Sequence, residues 1–154
     1  MSIAIYQQCT AIAILIVLLI AAFYDCKSSI IPLYLFPILI AAIVPLAVIS
    51  GQPQITDSLI GLLIGTGTFL TLAIFFKGGG ADILMMGTLG WCLGVRGTLI
   101  LILVSSAVYS MFVTVHVIYC VVRKKPKDFL HKQYPFAPFV LTGYIICWLC
   151  GGLF

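Results

Sequence analysis

The chain has 154 residues, of which 63% are hydrophobic and only 8% charged, with a net charge of +4 and a mean hydropathy of +1.26. Soluble domains carry about 25% charged residues, so this composition excludes a water-soluble globular domain and predicts an all-α, polytopic membrane bundle. At this length one bundle fills residues 1–154 as a single domain, with no room for a soluble catalytic unit.

A helix needs about 20 apolar residues to cross the hydrocarbon core. Polar and glycine-rich breaks divide the chain into about six candidate transmembrane helices, near 3–24, 33–49, 58–76, 82–95, 97–122 and 137–153. The first apolar run is longer than a signal-peptide core of about 7–15 residues and has no preceding lysine or arginine, so it reads as a retained helix. Seven of the eight basic residues fall in the odd-numbered connections: Lys27, Lys77, Arg123, Lys124, Lys125, Lys127 and Lys132. Lysine and arginine are held in cytoplasmic loops, which predicts both termini outside and Asp25 and Asp82 together on the cytoplasmic side. Asp57 then lies on the other face. The fourth segment is short, about 21 Å at 1.5 Å per residue, which would sink Asp82 and the neighbouring glycines below the cytoplasmic surface. Irregular backbone at that depth has to be buried in protein or line a wet cavity.

The chain has no glutamate and four aspartates, Asp25, Asp57, Asp82 and Asp128. An ionisable group at membrane depth costs several kcal/mol unless it is given partners and water, and is usually kept for chemistry. Asp25 and Asp82 sit where apolar runs end. Two carboxyl groups sharing one proton can hydrolyse a peptide bond: the anion takes a proton from water and the acid protonates the carbonyl oxygen. Their separation of 57 positions is no obstacle, because one antiparallel helix pair returns the chain to the same face. Judged by their own helices, Asp82 at an amino end suits the base and Asp25 at a carboxyl end the acid, although coupled protons belong to the pair. Singly, each residue has a plainer reading, Asp25 as an interfacial partner of Lys27 and Asp82 as a helix cap.

Asp25-Cys26-Lys27 followed by Ile31-Pro32, then Gly78-Gly79-Gly80-Ala81-Asp82, resemble the two motifs of the type IV prepilin peptidases and preflagellin peptidases, the GxGD-type intramembrane aspartic proteases. The likeness continues through Gly90 and Gly94 and through Pro135-Phe136-Ala137-Pro138-Phe139 with Gly143. Ala81 stands where the family usually has glycine, Leu84 where lysine is common, and Leu33 where asparagine often follows Ile31-Pro32. The resemblance implies an aspartic endopeptidase with Asp25 and Asp82 catalytic. Lys27, Gly78, Gly79, Gly80 and Ala81 would serve as substrate-binding or loop-supporting positions, with neither metal nor cofactor. The substrate it implies is a prepilin or pilin-like precursor, cut at the cytoplasmic membrane boundary between a basic leader and an apolar helix, after glycine in most family substrates. Larger family members carry a cytoplasmic zinc-binding, methylating insert between the first two helices, and the stretch from Asp25 to Pro32 has no room for one. The chain therefore resembles the short, peptidase-only form in the inner membrane. Its partners would be the precursor and the lipid bilayer, with self-association left open.

Other residues carry plainer expectations. The basic run from Arg123 to Lys132 anchors topology at lipid headgroups, at about 1 kcal/mol per basic residue, and is too short for a nucleic-acid surface. Cys9, Cys26, Cys92, Cys120, Cys147 and Cys150 are scattered, and Cys147-x-x-Cys150 lacks the second pair of a zinc site. His116 is expected in an interhelical hydrogen bond, Asp57 with Thr56 as an outer helix cap, and Gly61, Gly65 and Gly67 as close-packing positions. A small proton- or cation-coupled transporter using the same aspartates, or an inactive structural subunit of a pilus or secretion apparatus, are the readings from other classes.

Overall fold

The computed structural model describes residues 3–28, 31–50, 54–76, 79–123 and 135–151. They form helices without strands: α1 (Ile3–Ser28), α2 (Leu35–Ser50), α3 (Ile55–Phe76), α4 (Gly80–Val122) and α5 (Ala137–Leu149). Three stretches are long and apolar enough to cross a membrane, Gln7–Ser28, Ile55–Phe75 and Gly80–Cys120, and Leu35–Pro45 and Ala137–Leu149 are shorter apolar helices. Large apolar side chains such as Ile16, Leu63, Ile74, Phe75, Leu103 and Met111 are exposed around the outside. Helices apolar on every side need an apolar solvent, and here that solvent is lipid.

Two boundaries differ from the sequence reading. α1 runs on to Ser28, so Asp25 lies inside its last turns rather than after its end, and the Ser28 hydroxyl donates to the Tyr24 carbonyl at 2.9 Å. The fourth and fifth predicted segments form one run, α4, and the break expected at Val95-Arg96-Gly97 falls at Gly94, whose φ of 68° is open to glycine and costly for other residues. Breaking the ladder there orphans the Val95 N–H, which donates to Asp57 Oδ1 at 3.3 Å. Asp57 thus caps the second arm of α4, a different helix from the one predicted.

α3 and the 80–93 arm of α4 pack antiparallel with their backbones nearly touching. A methyl group on Gly61 would run into the carbonyl oxygen of Gly90, one on Gly90 into that of Gly61, and one on Gly65 into that of Met86. Close approach at small residues is how helices gain contact in lipid, where apolar burial by itself favours neither partner. Gly67 departs from the expected pattern, having open space where its Cβ would stand. α5 packs antiparallel to the second arm, with Gly143 against the Ser105 backbone, and is tied to α1 by the buried Tyr144 hydroxyl donating to the Ala11 carbonyl at 3.0 Å. α2 packs on α1 and α4, supplying Leu35, Phe36, Leu39 and Ile43 to the interior.

Gly61→Ala should push α3 and α4 apart and cost about 1–3 kcal/mol, the usual penalty of overpacking. Gly67→Ala should be neutral or stabilising by up to about 1 kcal/mol, because alanine is the better helix former. Thermal unfolding of both variants in one detergent checks the contrast, and equal melting temperatures would contradict the close seam.

Candidate active site

On α1 the buried residues Ala11, Ile14, Leu18, Ala21 and Ala22 follow helical spacing, and Asp25 continues the same stripe. On α4 the buried set Met85, Met86, Leu89 and Cys92 makes a second stripe, and half-buried Asp82 stands one turn before it. Both stripes join one core. Asp25 and Asp82 come within electrostatic reach of each other, while Asp57 lies at the opposite end of α3. The two sequence-predicted carboxyl groups therefore stand near enough for their charges to interact.

Asp25 is only 8% exposed, and its Oδ2 accepts the N–H of Ala137 at 3.0 Å. Ala137 opens α5, where unpaired amides gather and the helix dipole is positive. Asp25 thus ends its own helix but faces the amino end of another. Asp82 lies in the first turn of α4, its N–H donating to the Gly79 carbonyl at 3.2 Å. Each carboxyl group therefore has a helix amino end beside it. The dipole argument drawn from each residue's own helix therefore does not by itself separate the two groups.

The remaining predicted positions are spread around this pair. Lys27 is exposed, with its ammonium 5.9 Å from the centre of the Phe23 ring. Asp25 is turned the other way, into the bundle, so the interfacial Asp25–Lys27 pair does not form. Gly79 stands against the Asp82 carboxylate, whose Oδ2 would be 3.4 Å from an added Cβ. Gly80 is exposed with open space about it, and Ala81 packs on the core. Leu33 and Leu84, where the resemblance expected polar residues, are exposed. Gly78, Lys77 and the basic positions Lys124, Lys125, Lys127 and Lys132 lie outside the described residues, as does His131. His116 stacks on Phe112 and meets the Cys120 Sγ at 3.4 Å, both on its own helix.

The residue that sequence reasoning missed is Ala137. Its signal was in the chain: Pro138 in the first helical turn marks a helix start. Nothing in the sequence indicated which side chain would take the free amide there.

The model of the type IV leader peptidase family matches residues 12–115, a span holding both Asp25 and Asp82, and the chain belongs to that family. Membership makes it a peptidase by class and, with its apolar helices, an integral membrane protein. No curated protein and no solved structure matches the chain.

Gly80→Cys in a cysteine-free background should react with a membrane-impermeant thiol reagent, because the position is open and exposed. Leu89→Cys, at a buried core position, should not. Labelling rates measured in membranes test this, and full protection at position 80 would contradict a water-accessible site.

Proposed function

We propose that this protein is a membrane-embedded aspartic endopeptidase that removes the basic leader from type IV prepilin-like precursors at the cytoplasmic face of the inner membrane. The observation that supports the proposal is that Asp25 and Asp82, from helices far apart in sequence, lie near enough at one end of an apolar bundle for their charges to interact. Membership of the leader peptidase family supports the same chemistry.

In this reading the pair holds one proton between its two carboxyl groups. The ionised partner draws a proton from water as the water oxygen attacks the scissile carbonyl, and the protonated partner donates to the carbonyl oxygen. Collapse of the tetrahedral intermediate breaks the C–N bond, and the proton taken from water passes to the leaving amine. The groups begin and end in the same protonation states, so no metal or cofactor is required. Gly79 and Gly80 leave the backbone beside Asp82 open to an extended substrate. The precursor's apolar helix lies in the bilayer, its basic leader in the cytoplasm, and the bond between them arrives at the depth of the pair.

The chain crosses the membrane six times in this account, α4 contributing two crossings that meet at Gly94, with both termini outside. The connection from α1 to α2, residues 29–34, is too short for a methylating insert, so methyl transfer is not expected from it.

Asp25→Asn and Asp82→Asn should each abolish cleavage of a co-expressed precursor, with a fall of at least about a thousandfold, since an amide cannot exchange the proton. Asparagine at position 25 keeps an oxygen for the Ala137 N–H, so the amount of folded protein should be unchanged. A shortened precursor seen with both variants as well as with the unmodified chain would overturn the proposal.

A further inference from the structure

We propose that the amino end of α5 is a positioning element of the active site: the Ala137 amide holds the Asp25 carboxylate in place, and ring packing on either side holds the amide. The inference rests on the reading of Asp25 and Asp82 as the catalytic pair. α5 lies beyond the residues that the family model matches, and the likeness of Pro135 to Phe139 to the family's pattern assigns no role to the Ala137 amide.

The bookkeeping of amides at the start of α5 is the first support. The Phe139 N–H donates to the Phe136 carbonyl at 3.0 Å and the Val140 N–H to the same oxygen at 3.3 Å, while Pro138 has no N–H to offer. Ala137 is the first-turn residue whose N–H is left for an acceptor outside its own helix. Ala137 is itself fully buried, so water cannot serve, and Asp25 Oδ2 takes the bond. One carboxylate oxygen is thereby fixed, and the orientation of the group with it.

The second support is the set of rings that seats this turn. The Phe136 ring lies 5.2 Å from Phe69 of α3 and 5.7 Å from Tyr109 of α4, centre to centre. The Phe139 ring lies 5.2 Å from Tyr109 and 5.1 Å from Phe112. Phe136 and Phe139 flank Ala137, so rings from two other helices clamp the peptide unit that donates to Asp25. Edge-to-face and tilted contacts at these separations are favourable for aromatic pairs. Tilting of α5 against α4 would carry the amide, and with it the carboxylate, away from the geometry that hydrolysis needs. Positional errors of about 1 Å in such groups can cost about a hundredfold in rate.

The test replaces the amide and leaves the side chain alone. Lactic acid incorporated at position 137 turns the N–H into an ester oxygen. The hydroxy-acid analogue of isoleucine at position 145, two turns further along α5, removes a backbone donor that serves only the helix, and is the control. With a purified precursor, the ester at 137 should lower kcat by at least about tenfold with KM changed by no more than about twofold, as expected for a lost hydrogen bond to a charged group used in the chemical step. The ester at 145 should leave kcat within about twofold while lowering the melting temperature to a similar extent, which separates positioning from stability. Tyr109→Leu, on a half-buried surface, should lower kcat in the same direction by about threefold or more at constant KM. Equal kcat values for the two esters would overturn the inference and leave the catalytic pair standing. If the 137 ester does not fold, an unchanged kcat in Tyr109→Leu overturns it instead. A chain that cuts no precursor, or one in which Asp25→Asn still cuts, removes the catalytic reading and this inference with it.

Discussion

A carboxylate buried between apolar helices has to be given a hydrogen-bond donor, and in this protein the donor is the first amide of α5. The Asp25–Ala137 bond, at 3.0 Å, joins residues 112 positions apart and reconciles a charged group with an interior built of Ile14, Leu18, Met85 and Leu89. Without it, burial of Asp25 would cost several kcal/mol more. The same bond satisfies an amide that has no acceptor in its own helix, so two groups costly to bury separately settle each other.

The second constraint is the glycine seam between α3 and α4. Gly61, Gly65 and Gly90 let two backbones approach to contact, and Gly94 ends the first arm of α4 while Asp57 caps the second. That first arm is only about 14 residues long, near 21 Å, so locking its far end at Gly94 sets how deep its near end can lie. Asp82 stands at that near end. Its place in the bundle is therefore set by glycines up to about three turns away, and by an aspartate at the opposite end of α3.

The helices and the two carboxylates were legible in the chain because each has a local cause. Apolar runs make helices, and aspartates at the ends of such runs are too costly to be idle. The departures have causes as well. Along the chain only its own helix is visible as a partner for Asp57, yet the orphan amide it serves, Val95, arises from the break at Gly94. Gly67 groups with Gly61 and Gly65 by spacing, but spacing along one helix does not say which face the partner covers. The dipole of each residue's own helix divides the acid and base roles, and α5 adds a second amino end at Asp25.

By itself the sequence determined the solvent, the helical class, the family and the chemistry the two aspartates can perform, since all of these rest on residue type and short-range spacing. Only the tertiary structure decided that Asp25 is held by Ala137, that rings from α3 and α4 clamp that turn, and that Asp57 secures the far end of the Asp82 arm. The physical reason is that helices apolar on every side carry no amphipathic signal of which face turns inward. In lipid that choice is made by backbone contacts at glycines and by hydrogen bonds between distant segments, neither of which leaves a periodic mark on the chain.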